Sequence, residues 1–139
     1  MTIVPSRSRA GDAPAARVSI RLDLPSGARI GPGKIALLEE IARHGSISAA
    51  GRALRMSYRR AWELVEDLNR HLGTAAVFAV TGGSGGGGTR LTEAGEALIT
   101  AYRAIEAATA TVAEGHLRHL SDLSAREPAS PDTRATSTE

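Results

Sequence analysis

A chain of 139 residues that is 42% hydrophobic and carries a net charge of +2 has room for one folded core, and no apolar run in it approaches the ~20 residues of a membrane span. It has no cysteine, which excludes disulfides and thiolate metal sites. All but one of the 17 basic residues are arginine, the exception being Lys34. A guanidinium is planar and bidentate toward phosphate and guanine edges, so the placement of the arginines along the chain decides what they mean.

Residues 1–16 combine Ser, Pro, Ala and Arg without apolar periodicity. They lack the apolar centre of a secretory signal and read as a disordered arm. From Arg17 the pattern changes to period two: Val18, Ile20, Leu22 and Leu24 are apolar, while Ser19, Arg21 and Asp23 are polar. That is a half-buried strand, ended by Pro25-Ser26-Gly27. Gly31-Pro32-Gly33 opens a first helix with Ile35, Leu38, Ile41 and Ala42 on its inner face, stopped at His44-Gly45.

Ser46 is the N-cap of a short second helix with Ile47, Ala50 and Leu54 inside. After a tight connection at Arg55-Met56, Ser57 caps a third helix that buries Ala61, Leu64, Val65, Leu68 and Leu72 and ends at Gly73. Trp62, one turn beyond Tyr58, reads as packing along the edge of this pair rather than stacking on a ligand. A short strand over residues 75–80, a glycine run and a returning "TRL" strand follow. Thr92 then caps a long helix with Ala94, Leu98, Ala101, Tyr102, Ile105, Ala108 and Val112 on one side, interrupted at Gly115 and weakly continued by Leu117, Leu120 and Leu123. Residues 17–120 make the domain, and 121–139 read as a disordered tail.

Two short helices crossing at Ala49, Ala50 and Gly51 and joined by a tight turn have helix-turn-helix geometry. The second starts Tyr58-Arg59-Arg60, where a DNA-binding protein presents base-reading side chains; arginine holds guanine O6 and N7, and Glu63 can accept from cytosine N4. Six of the seven residues from Gly82 to Gly88 are glycine. Gly83 and Gly88 have phosphate-loop spacing, but Thr89-Arg90 stands where Lys-Ser/Thr is required. A G-x-G-x-x-G match there is one that any polyglycine run supplies. Flanked by strands and placed after a helix-turn-helix, the run reads as the tip of a wing, where glycine lets backbone amides approach the sugar-phosphate chain.

The segments "GSISAAGRALRMSYRRAWELVEDLNRHLG" and "TGGSGGGGTRLTEAGEALITAY" resemble the N-terminal domain of molybdate-dependent transcriptional regulators of the ModE type. More distantly they are similar to LysR-type DNA-binding domains, which share the "GSISAA" entry and the "LTEAG" exit. The resemblance covers roughly residues 17–112. It implies a mainly α fold with a small β-wing, a winged helix-turn-helix followed by a long dimerisation helix. The DNA-contacting set so implied is Ser46, Ser57, Tyr58, Arg59, Arg60 and Glu63 from the helices, with Gly85, Gly86, Gly87, Thr89 and Arg90 from the wing. Leu98, Tyr102, Ile105 and Val112 are expected to carry the homodimer.

The expected function is sequence-specific recognition of double-stranded DNA in transcriptional regulation connected with molybdenum, in the cytoplasm at the nucleoid. The family's molybdate-binding β-barrel region has no counterpart in this sequence, so molybdate is not expected to bind directly, and an effector-binding partner protein is a possibility left open. No cofactor, metal site or catalytic residue is expected; His116 and His119 could share a helix face but have no cysteine or carboxylate in ligand spacing. Two alternatives stay open: a winged helix that binds protein, and a phosphate-binding enzyme using the glycine loop.

Overall fold

The structure is a computed structural model that describes residues 15–82 and 88–125. Its elements run β1 (Leu22–Asp23), β2 (Arg29–Ile30), α1 (Pro32–His44), α2 (Ile47–Ala53), α3 (Tyr58–Leu72), β3 (Val77–Val80), β4 (Gly88–Leu91) and α4 (Glu93–Ala125). The described residues divide into two compact units, one within 19–109 and a second made of 15–18 with 110–125. All elements up to the first half of α4 lie in the Ser19–Thr109 unit.

The long strand expected over residues 17–24 shrinks to the two residues of β1, which pair antiparallel with β2, Leu22 opposite Ile30. Gly27, in the left-handed region at φ 98°, makes the turn, and the Leu24 N–H donates to the Ala28 carbonyl at 2.9 Å. The period-two reading survives in burial even where the ladder does not. Ile20, Leu22 and Leu24 pack against the core, while Ser19, Arg21 and Asp23 are exposed. A two-residue partner such as β2 is too short to leave a periodic signature.

Proline at its start gives α1 a fixed φ, and Gly45 at φ 76° ends it by donating back to the Ile41 carbonyl at 2.8 Å. Its buried residues are Ile35, Leu37, Leu38 and Ile41. Leu37 was not foreseen, and Ala42 is exposed. The reason is that α1 is covered by α2, α3, β2 and β4, so its buried arc is wider than one stripe and rotated away from Ala42. The core of this unit gathers these residues with Ala28, Ile30, Ala50, Ala61, Val65, Leu68, Ala76, Val77 and Tyr102.

The hairpin β3–β4 is antiparallel, with Val77 opposite Leu91, Phe78 opposite Arg90 and Val80 opposite Gly88. β3 begins later than residue 75: the Ala76 N–H is turned to Asn69 Oδ1 at 2.8 Å, while its carbonyl still accepts across the hairpin from the Thr92 N–H at 2.9 Å. Helix α4 is capped as expected, the Gly95 N–H donating to Thr92 Oγ1 at 3.0 Å. Gly115 does not interrupt it. One glycine costs a helix about 1 kcal/mol, too little to stop a segment rich in Ala, Leu and Glu. Residues 121–125, read as the start of the tail, are therefore helical. The rest of the expected tail, and residues 1–14 of the expected arm, lie outside the described residues. Among the described residues no helix is long and apolar enough to cross a membrane.

Candidate nucleic-acid interface

The exposed start of α3 is built by two caps and one turn. Ser46 Oγ accepts from the Ala49 N–H and Ser57 Oγ from the Arg60 N–H, each at 3.0 Å, so both expected contact serines spend their acceptors on starting α2 and α3. Between the helices, Arg55 adopts a left-handed φ of 58° and the Met56 N–H closes the turn on the Gly51 carbonyl at 2.9 Å. A Cβ on Gly51 would stand 3.3 Å from the Ala61 Cβ. The small residues read as a helix crossing are such a crossing.

This geometry turns Ala61, Val65 and Leu68 inward and leaves Tyr58, Arg59, Arg60 and Glu63 exposed at the start of α3. Arg59 Nε donates to Glu63 Oε1 at 3.2 Å across one helical turn. Trp62, expected along the edge of the helix pair, is 45% exposed and lines an open groove with Arg60, Leu64, Asp67 and Arg70. Lys34, the lone lysine, is withdrawn from the surface chemistry. Its Nζ donates to the Arg29 carbonyl at 2.8 Å and to Asp67 Oδ2 at 2.7 Å, and this bond holds the Asp67 carboxyl below its ordinary range.

The wing stands beside this helix on a rigid base. The Thr89 N–H donates to the Gly45 carbonyl at 2.8 Å, and a Cβ on Gly88 would lie 2.6 Å from that same oxygen. Asn69, on α3, holds β3 through the Ala76 N–H and, from its own amide nitrogen, through the Val77 carbonyl at 3.3 Å. Thr92 Oγ1 donates to the Ala75 carbonyl at 2.6 Å while it caps α4. Thr89 is thus a wing anchor through its backbone, and Arg90 is exposed on the outer face opposite Phe78. Gly85, Gly86 and Gly87 lie outside the described residues.

The sequence reading missed Asn69, Gly45 and Gly88 as wing supports. Asparagine inside a helix, where its propensity is poor, was the available signal for the first.

The stripe expected to carry a homodimer needs one correction. Tyr102 is fully buried in its own unit, and its hydroxyl donates to the Ile20 carbonyl at 2.9 Å. A phenol has the reach to cross the core and satisfy the backbone of the strand segment, which a pattern of apolar spacing cannot distinguish from an outward position. Leu98 also packs partly on the core. Ile105 and Val112 are exposed, Val112 at 76%. Next to Tyr102, Arg103 forks onto both oxygens of Glu39 at 3.0 and 2.6 Å and reaches Glu106 at 2.7 Å, tying α4 to α1. The Arg103 bond keeps the Glu39 carboxyl below its ordinary range, and burial raises the Tyr102 phenol.

Among the described residues no cluster of His, Asp and Glu is arranged to hold a metal. What remains is a basic, capped helix start and a braced wing.

Residues 33–96 match the bacterial regulatory helix-turn-helix proteins of the lysR family. The match covers 64 of the 139 residues, so it is a similarity over that segment. The molybdenum-pterin-binding protein MopB of Rhodobacter capsulatus is 52% identical over 85 residues, which are 61% of this chain and 32% of the relative. The molybdenum transport protein ModE of Azotobacter vinelandii is 38% identical over 91 residues, 66% of this chain and 33% of that protein. The chain therefore spans about a third of the length of these relatives. The solved CbnR_DBD-DNA complex aligns at a TM-score of 0.45 and 23% identity, over 68% of this chain and 97% of that one. The matched span contains the α2–α3 pair and the β3–β4 hairpin described above.

Proposed function

We propose that the chain is a sequence-specific, duplex-DNA-binding transcriptional regulator that acts in the cytoplasm at the nucleoid. The observation that carries this reading is the exposure of Tyr58, Arg59 and Arg60 at the capped start of α3, within a LysR-type domain whose wing is braced against the same helix. The N-terminal residues of a recognition helix reach base edges, and the wing arginine Arg90 adds a backbone contact. A molybdenum connection is supported by the similarity to proteins named for molybdenum transport and molybdenum-pterin binding. These residues are not proposed to hold molybdate: a tetrahedral dianion needs convergent donors in a closed pocket, whereas the arginines of α3 stand in solvent. An effector-binding partner protein is the proposed route for any oxyanion signal.

The domain is proposed to work as a homodimer through the exposed Ile105 and Val112, placing two α3 helices about 34–36 Å apart on successive turns of DNA. Fluorescence anisotropy with a duplex from the gene's own upstream region, against a scrambled duplex, tests the whole. The expected result is a preference for the upstream duplex at physiological salt. Equal affinity for both duplexes overturns sequence-specific recognition, and saturable low-micromolar molybdate binding by the chain in equilibrium dialysis overturns the assignment of sensing elsewhere.

A further inference from the structure

The first turn of α3 departs from what helix stability favours, although its last turn, with Arg70 and His71, follows it. The positive end of a helix macrodipole sits at its N-terminus, where acidic side chains are stabilising, yet the first turn of α3 has no acidic residue and holds Arg59 and Arg60 instead. Acidic first-turn residues occur in α4, as Glu93 and Glu96, while α1 and α2 have none either, so the meaning of the charge at the start of α3 lies in what its side chains do. The pair Arg59–Glu63 also runs with the cation N-terminal to the anion, the weaker orientation of an i, i+4 pair. With the Arg59 side chain 88% exposed and that of Glu63 48%, such a pair adds little to stability. The Arg59–Glu63 pair therefore matters for its effect on the guanidinium and not for its contribution to stability.

The contact has a specific chemical consequence. Glu63 Oε1 occupies the Nε edge of the Arg59 guanidinium, and among the described residues the two terminal amino groups have no protein partner. With the Nε edge occupied, the end-on fork is the edge left to face outward, the geometry that meets guanine O6 and N7. The carboxylate also offsets the charge that would draw Arg59 to any phosphate. Arg60 lines the open groove that Glu63 and Glu66 also line, and among the described residues it makes no ion pair.

We infer that Glu63 is a positioning residue: it dedicates Arg59 to base reading and withdraws it from non-specific phosphate binding, rather than reading cytosine itself. This rests on the DNA-binding function proposed above. Glu63→Gln keeps an oxygen for the Arg59 Nε–H but removes the charge, and Glu63→Ala removes both, so the two substitutions separate orientation from neutralisation.

The test uses the full chain, a duplex enriched by the wild-type protein from a randomised library, and a random duplex. For Glu63→Gln, random-duplex binding should steepen its log-log salt slope by about 0.9, an extra 3.5-fold or so of affinity lost between 50 and 200 mM salt. Glu63→Ala should show the same steepening and also lose roughly fivefold or more of the preference for the enriched duplex, confined to one guanine position. In an Arg59→Ala background neither substitution should change base preference. Full preference retained by Glu63→Ala, or equal effects with and without Arg59, overturns the inference while leaving DNA binding intact. A library from which the wild type enriches nothing overturns the DNA reading, and this inference with it.

Discussion

Gly95→Ala tests whether the wing is held by the start of α4. Gly95 is buried in the first turn of that helix, and a Cβ there would overlap the Ala76 carbonyl oxygen and stand 3.2 Å from its carbon. The carbonyl cannot retreat freely, since it accepts from the Thr92 N–H at 2.9 Å and the Ala76 N–H is bound to Asn69 at 2.8 Å. Overpacking costs about 1–3 kcal/mol, a stretched Thr92–Ala76 bond adds about 1, and the better helix propensity of alanine returns about 1. The net is a loss of about 1–3 kcal/mol. At about 4–8 °C per kcal/mol for a domain of this size, a central value of about 2 kcal/mol lowers the melting temperature by about 8–16 °C. Circular dichroism at 222 nm reads this directly. Gly115→Ala is the matched control. It is exposed, with the nearest side-chain atom, Arg118 Nη2, at 3.9 Å from its Cβ position, so it should raise helicity and not lower the melting temperature. A Gly95→Ala protein that melts at or above the wild type refutes the close approach of α4 to the Ala76 backbone just before β3.

Tyr102→Phe removes the donor to the Ile20 carbonyl from a buried site and should cost about 1–2 kcal/mol in urea unfolding, whereas an unchanged midpoint would mean that this bond adds nothing net. Asp67 and Glu39 have carboxyls lowered from ordinary values of 3.8 and 4.5 by hydrogen bonds to Lys34 and Arg103, so their contribution is complete above those values and lost as pH falls through the lowered ones. Asp67→Asn and Glu39→Gln should therefore flatten the fall of the urea midpoint below about pH 4.5, and curves parallel to the wild type would exclude both groups. Arg90→Ala should weaken binding to all duplexes alike and reduce the salt slope by about 1; a loss confined to one sequence would make it a base reader. Val112→Glu should lower the mass observed by light scattering at micromolar concentration if α4 carries the dimer, and an unchanged dimer would move the interface elsewhere.

The helix-turn-helix and its wing were legible because local rules suffice for them. Ser46 and Ser57 are caps by type and position, Gly45 and Gly73 are left-handed stops, and Ala61, Val65 and Leu68 repeat at the helical period. The exposure of Arg59 and Arg60 follows from that same period, since the face opposite a buried stripe is outward. The alternation from Ile20 to Leu24 foretold burial correctly although only Leu22–Asp23 forms a ladder, because side-chain direction is set residue by residue while pairing needs a partner strand. What the tertiary structure alone decided are the contacts between segments distant in the chain. Tyr102 turns inward because the Ile20 carbonyl lies within reach of its hydroxyl; Lys34 is spent on Arg29 and Asp67. The wing stands where Gly45, Asn69 and Thr92 hold it. Periodicity reports which side of an element is apolar, but not which carbonyl waits across the core, and that is why the apolar stripe of α4 and the braces of the wing could be read only in three dimensions.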